Sequence, residues 1–535
     1  MEIQKVQVEE NSREIAENAS GVAVATLVSR VLGLIRDTVI AAKFTSFQTD
    51  CFFMAFTIPN VLRRLLGEGA LNAAVIPVYA DYVTRKNENE RRLFLRSLWG
   101  SSTGLLFLIS FLGVIFSPLI VRLYAWGFTS IPEKFDLTTN LNRVMFPYLF
   151  FIGLTALSSG ILNVHKKFFT PALSPAIWNI IIIASAFSLP FFLASYGINT
   201  IYALAIGVMS GGFIQLIYQF FLQLKTGTIL PPKIDLKNEG FKKVIKLMLP
   251  LTAGFGIYQL DVLLSRLMAS FLPSGSVSYL YYGMRLIDFP QGVLFLAIGT
   301  ASLPLMAKLS AESDIKNLEK TYMGALSLSL FVSIPATIAF IIMAKPIVSI
   351  IFFHGAFTSS MLEPTWMALA AMSPGILGTS IVRVTTPVFY SFMDTKTPVK
   401  VSAWNLLIYL FASLVLMIPF KHIGLAIALS IAPITQSLQL IMHLTKKIRI
   451  DFKQLILFFL RCTFSSIAMA VFMLIVCSFG KWDNSKKFLF NIYIALLSGA
   501  GGISIYLVMC FLSGLKETKL ILDIIKSRSL KKQKH

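Results

Sequence analysis

Charge is scarce in this chain. Of its 535 residues only 14% are charged, against 56% hydrophobic, and the mean hydropathy is +0.73. Soluble globular domains carry roughly 25% charge, so an ordinary water-soluble fold is excluded and the bilayer is the solvent. Cysteine is scarce too. Cys51, Cys462, Cys477 and Cys510 show no C-x-x-C spacing and mostly fall in apolar runs, where the residue acts as a small hydrophobe, so neither a disulfide nor a metal is assigned to them. There is no G-x-x-x-x-G-K-[ST] loop, no H-E-x-x-H and no soluble domain to house a nucleotide, which argues against direct use of ATP and leaves no catalytic constellation. The five histidines, His165, His354, His422, His443 and His535, sit mainly near expected loops or ends and read as solvated. Acidic residues number 26 against 48 basic, giving +22, but no soluble basic face exists to hold nucleic acid. Residues 1–20 lack the basic start and short apolar core of a cleavable signal; with Glu2, Glu9, Glu10, Glu14 and Glu17 they read as a cytoplasmic tail.

What the chain does have is long apolar runs, such as 104–120, 177–193 and 455–476. Each approaches the length that crosses about 30 Å of hydrocarbon as a helix. They lack the two-residue alternation of barrel strands, so the expected class is an all-α polytopic membrane protein. Fourteen candidate helices are read, at about 22–44, 49–83, 95–125, 139–163, 173–195, 198–224, 243–272, 277–307, 321–344, 361–391, 400–420, 423–445, 454–478 and 488–513. Lysine and arginine concentrate in alternate loops, from Arg85–Arg96 through Lys225–Lys246 to the tail after Lys516, so the positive-inside rule places both termini in the cytoplasm. Thr170-Pro171 and Trp178-Asn179 recur as Thr397-Pro398 and Trp404-Asn405, offsets of 227 and 226, and Pro77 with Ala80 recurs as Pro304 with Ala307. Two parallel six-helix lobes are therefore expected. The reading places a tail at 1–20, lobes at 21–225 and 243–447, a cytoplasmic linker at 226–242, two further helices within 448–514 and a basic tail at 515–535.

Ionisable residues inside the apolar runs carry most information, since each costs at least about 2.5 kcal/mol on an insertion scale if it faces lipid. They are Arg30, Arg36 and Asp37; Asp50, Arg63, Arg64 and Glu68; Asp261 and Arg266; Arg285 and Asp288; and Arg383. Arg64 with Glu68 and Arg285 with Asp288 have spacings that let each pair meet on one helix face. Arginines exceed carboxylates in this set and no lysine is among it, so the reading is a net positive cavity suited to phosphate or carboxylate, with inter-helix bonding as the alternative. Pro59, Gly67-Glu68-Gly69 and Pro77 interrupt one long apolar element, as a gate or as a simple kink. Asp261 and Asp288 fit either a coupling ion or structural pairing.

Ser29-Arg30-Val31-Leu32-Gly33-Leu34-Ile35-Arg36-Asp37, Thr49-Asp50-Cys51-Phe52-Phe53, Ile58-Pro59-Asn60, Leu62-Arg63-Arg64, Glu68-Gly69-Ala70 and Pro77 form an ordered string that resembles the MurJ (MviN) family of lipid II flippases, in the multidrug/oligosaccharidyl-lipid/polysaccharide exporter superfamily. Tyr281-Tyr282, Arg285-Leu286, Phe289-Pro290 and Lys396-Thr397-Pro398-Val399 extend the resemblance. It implies a non-enzymatic flippase of the bacterial inner membrane. Its cargo is lipid II, the anionic lipid-linked disaccharide-peptide, carried by alternating access, with the lipid tail in a groove at helices thirteen and fourteen. No cofactor is implied; coupling is to the membrane potential or a monovalent cation, and partners are membrane lipids and peptidoglycan-synthesis enzymes. The cavity residues it implies are Arg30, Arg36, Asp37, Asp50, Arg63 and Arg285, with Ser29, Pro59, Asn60 and Glu68 at a gate and Arg64 and Arg383 secondary. Met284 stands where some relatives have an aspartate. Exporters of drugs or of other polyprenyl-linked sugars, and a non-transporting envelope scaffold, are the competing readings; the basic set disfavours a cation exporter.

Overall fold

The computed structural model describes residues 2–65, 70–291 and 296–518. Every regular element among them is helical. The chain divides into two units at Val277–Ser278. The first holds α1 (Glu2–Lys43), α2 (Ser46–Leu65), α3 (Leu71–Arg85), α4 (Glu88–Ile115), α5 (Ser117–Tyr124), α6 (Pro132–Met145), α7 (Tyr148–Val164), α8 (Phe169–Ser195), α9 (Tyr202–Leu224) and α10 (Glu239–Ser270). From α11 (Ser276–Pro290) the chain enters the second unit, with α12 (Leu296–Ala311), α13 (Ile315–Ile342), α14 (Ala344–Phe352), α15 (Ser359–Met372), α16 (Gly375–Ser391), α17 (Lys396–Leu444), α18 (Phe452–Ser478) and α19 (Phe488–Leu512).

Nine of the described segments are long and apolar enough to cross a membrane. One of them, α17, runs 49 residues but turns at Lys421, where φ is 51°, and so consists of two limbs. At about 1.5 Å per residue, its full length is more than twice the hydrocarbon thickness. Gly424 makes the reversal feasible: a Cβ there would lie 2.0 Å from the Leu416 carbonyl oxygen. Segments outside the nine include α1, α2, α10 and α11, which carry Arg30, Arg36, Asp37, Asp50, Arg63, Asp261 and Arg285. Surface character is inverted relative to a soluble protein. Phe107, Phe191, Phe411 and Leu489 are exposed, while Ser158, Gln219, Gln223, Ser380 and Thr385 are buried.

In the first unit α8 packs on α1 and α9, and α7 on α9, α3 and α4. Small residues permit the close approach: a Cβ on Gly211 would lie 2.8 Å from Trp178. Between α7 and α9 the bonds are polar, Ser158 donating to Gln223 at 2.6 Å and Ser159 to Gln219 at 3.0 Å. The capping box of Asn87 and Glu90 starts α4. Further along, the connection before α10 is stapled to α4: Lys233 N donates to the Arg96 carbonyl (3.0 Å), Ser97 to the Asp235 carbonyl (2.7 Å), and Asp235 N to Ser101 (3.0 Å). Gly100 is required there, because a Cβ would sit 2.3 Å from the Lys233 backbone. The N-terminal part of α10 packs on α3 and α4, which places the helix in the first unit.

The kink expected in the second apolar run is handled locally. Pro59 has no N–H, so the carbonyl of Ala55 loses its helical partner; Asn142 of α6 donates to that oxygen at 2.7 Å. Tyr124 donates to the neighbouring Met54 carbonyl, also at 2.7 Å. The proline-freed Ala55 carbonyl and the adjacent Met54 carbonyl thus tie α2 to α6 and α5. Gly67, Glu68 and Gly69 lie outside the described residues, between α2 and α3.

The second unit is built on α13, α16 and α17, with α18 packed against α13 and α19 against α18 and α14. Its apolar core joins Leu326, Leu330, Val384 and Val388 to Phe458, Cys462, Met469 and Tyr506. Polar clamps hold both ends of the α18–α19 hairpin. Lys345 pairs with Glu363 (2.8 Å) and Asp483 (2.9 Å), Ser349 donates to the Trp482 carbonyl (2.5 Å), and Arg449 N donates to Glu319 (2.6 Å).

Candidate functional site

The first unit assembles a polar seam where α1 meets α8. Ser29, Arg30, Arg36 and Asp37 lie on α1, and Trp178 and Asn179 on α8. Arg36 is only 8% exposed and Asp37 is fully buried. Arg36 Nε and Nη2 both donate to Asp37 Oδ1, at 2.9 and 2.6 Å, and Nη1 donates to Asn179 Oδ1 at 3.1 Å. Asn179 Nδ2 in turn donates to the Ser29 carbonyl at 3.1 Å. The guanidinium lies 5.0 Å from the Trp178 ring, which stacks with Phe56 at 5.7 Å. Neighbours on a helix ordinarily project about 100° apart; the long arginine side chain curls back across that angle to its own neighbour. Arg36 is therefore held by the α1–α8 scaffold through Asp37, Asn179 and the Trp178 ring.

Arg30 differs. It is half-buried on the same helix, about 9 Å along the axis from Arg36, and makes no hydrogen bond or ion pair among the described residues. A guanidinium held there without a protein partner is available to an anion. On α2, Arg63 Nε donates to Asn60 Oδ1 at 3.1 Å, both residues being half-buried. Arg64 is exposed, and its expected partner Glu68 is among the residues not described. Asp261 on α10 is half-buried, with one carboxylate oxygen enclosed and without a hydrogen-bond partner among the described residues. In the second unit Arg285 on α11 and Arg383 on α16 are half-buried, while Asp288 is exposed.

Asp50 corrects the expectation that the buried cations are all arginine. Lys134 of α6, 2% exposed, donates to Asp50 Oδ2 at 2.8 Å. The same oxygen accepts from Gly275 N at 2.6 Å, and Lys134 Nζ also reaches Ser274 Oγ at 3.2 Å. Sequence reasoning passed over Lys134 because the segment around it is not apolar and reads as a loop. A signal was present: Lys134, Thr138 and Asn142 recur every four residues, the spacing of one helix face, and all three are buried.

The family profile described as lipid II flippase MurJ matches residues 40–497. The chain belongs to the MurJ family. A curated relative, the probable lipid II flippase MurJ of Buchnera aphidicola subsp. Schizaphis graminum (strain Sg), is 34% identical over 508 residues, covering 94% of this chain and 97% of the relative. Among solved structures, one titled lipid II flippase MurJ in an inward closed conformation matches with a TM-score of 0.76 at 29% identity, over 94% of this chain and 99% of that one. An inward-facing multidrug-resistance MATE transporter of the MOP superfamily matches with a TM-score of 0.63 at 15% identity, over 79% and 98%, a likeness of fold alone. Within this MurJ-family chain, the Trp-Asn pairs that mark the internal repeat have separate uses. Asn179 holds Arg36, whereas its counterpart Asn405 accepts from Thr435 at 3.2 Å and Trp404 is exposed.

Proposed function

We propose that this protein is a lipid II flippase, moving the undecaprenyl-pyrophosphate-linked peptidoglycan precursor from the cytoplasmic to the outer leaflet of the bacterial inner membrane. It does so as a multi-pass protein with both termini in the cytoplasm. Family membership across residues 40–497 carries the reading, and Arg30, half-buried and without a hydrogen-bond or ion-pair partner among the described residues, gives it a physical basis. A pyrophosphate needs donors in a fixed fork, and arginine supplies them with less hydration to lose than lysine. Arg30 takes the anion directly, Arg63 adds positive charge within the same unit, and the Arg36–Asp37–Asn179 group fixes the α1–α8 seam on which Arg30 is mounted. No covalent chemistry is required of the protein. The step is alternating access, driven by the membrane potential or a monovalent cation gradient, with Asp261 as the carboxylate placed to respond.

The test is replacement of the gene in cells by an Arg30→Ala variant, with leaflet exposure of lipid II measured by a reagent that cannot cross the membrane. Lipid II should stay on the cytoplasmic face while the variant accumulates normally. Outward exposure at the wild-type rate would sink the assignment of Arg30. Full depletion of the protein without loss of exposure would sink the cargo.

A further inference from the structure

We infer that Lys134 is a positioning residue: it pairs with the Asp50 carboxylate and keeps it aimed at the backbone of residues 274–275, forming a latch at the turn that leads into α11. Three observations converge. Lys134 is a lysine with 2% exposure, and both its ammonium hydrogen-bond partners belong to this cluster, Asp50 at 2.8 Å and Ser274 at 3.2 Å. Its Nζ also stands 4.2 Å from the Phe128 ring centroid and 5.8 Å from that of Phe47, so aromatic faces border the buried charge. Asp50 Oδ2 takes the Gly275 N–H at 2.6 Å, one residue before α11 begins, where the unpaired N–H groups of a helix start favour negative charge.

The geometry assigns each group a task. Asp50 caps the entry to α11 from a separate helix. A buried carboxylate needs a partner of opposite charge; the ammonium of Lys134 supplies it at 2.8 Å. Gly275 has φ of 97°, a conformation that side-chain-bearing residues rarely adopt, and its N–H is thereby turned toward Asp50. Ser270 Oγ accepts from Gly127 N at 3.0 Å, a second tie between the same turn region and the segment before α6. The chain passes to the second unit two residues beyond Gly275. The latch therefore fixes the turn that leads into α11.

The protein carries its own reporter. Cys51 follows Asp50, is buried, and its Sγ lies 3.7 Å from the Lys134 carbonyl. The inference rests on the transporter reading, but the labelling experiment uses no cargo. Full-length protein in membrane fragments open on both faces is treated with a bulky charged maleimide, and Cys51→Ser identifies the labelled site. Cys51 should be protected in the wild type. Lys134→Met should raise its labelling rate at least tenfold, and Lys134→Met with Asp50→Asn should return it close to wild type, because the neutral amide oxygen still accepts from Gly275. A purely space-filling lysine predicts no such rescue by loss of the opposite charge. Wild-type labelling in Lys134→Met overturns the inference. If that variant is not recovered from membranes, the double variant decides: recovery with Cys51 protected supports the latch, and failure to accumulate, or fast labelling, overturns it. Altered lipid II export with the labelling pattern as expected concerns the cargo alone.

Discussion

Replacing Asp37 with alanine removes the carboxylate that receives two of the Arg36 guanidinium bonds, at 2.9 and 2.6 Å, and leaves the arginine with Asn179 and the Trp178 ring. Breaking a buried pair from one side costs about 3–5 kcal/mol, because the remaining charge stays desolvated. Native stability is on the order of 5–15 kcal/mol, so the single substitution should consume a large part of it. Removing both charges behaves differently: replacing a buried pair by apolar residues of similar volume is often neutral. Purified Asp37→Ala should therefore melt well below wild type in detergent, and Arg36→Met with Asp37→Ala should recover at least half of the lost stability. Transport should remain impaired in the double variant, since the α1–α8 seam that mounts Arg30 loses its bond to Asn179. An Asp37→Ala protein as stable as wild type, or a double variant no better than the single, would refute the view that Arg36 is a scaffold charge in this conformation.

Other outcomes follow from packing and titration. Gly378→Ala would place a Cβ 2.4 Å from the Pro433 backbone, forcing α16 and α17 apart at a cost of about 1–3 kcal/mol, whereas Gly499→Ala, with nothing within 4 Å, should shift the melting midpoint little in either direction. Asp394, in the turn before α17, is held below the usual carboxylate range chiefly by the Thr397 backbone N–H; burial opposes this, and the Thr397 hydroxyl and Lys447 add to the lowering. A depressed folded value means that the stabilisation is present above the unfolded pKa, about 3.9, and is lost as pH falls through the folded value. Amide exchange at residues 395–397 should therefore gain protection between that low range and neutral pH beyond the solvent's own dependence, and Asp394→Asn should abolish the gain.

The helices were readable because bilayer crossing imposes length and hydropathy on local sequence. Even the reversal inside α17 was anticipated by the polar break at Lys421–His422. Charge partners were less readable. Asp37 lies next to Arg36 in sequence, and only the reach of the arginine arm, with Asn179 143 positions away, decides that the two are joined. Lys134 was hidden for a related reason: its partner Asp50 is 84 residues earlier, and a hydropathy reading credits a lysine to solvent unless a neighbour across the fold is known. Arg30 and Arg36 are alike by cost in one dimension, and only the fold separates them, Arg36 being bonded to Asp37 and Asn179 and Arg30 to no side chain among the described residues.

The stapled connection before α10 also has a mechanical meaning. A free flexible segment over 226–242 would explore end-to-end distances of about 20–25 Å, enough slack to decouple whatever it joins. Pinned to α4 by Lys233, Asp235 and the close passage over Gly100, it contributes almost none of that slack. The polypeptide enters the second unit instead through the short turn after Phe271. Within the first unit, residues 226–242 and α4 therefore act mechanically as one piece, so any displacement of α4 carries the start of α10 with it.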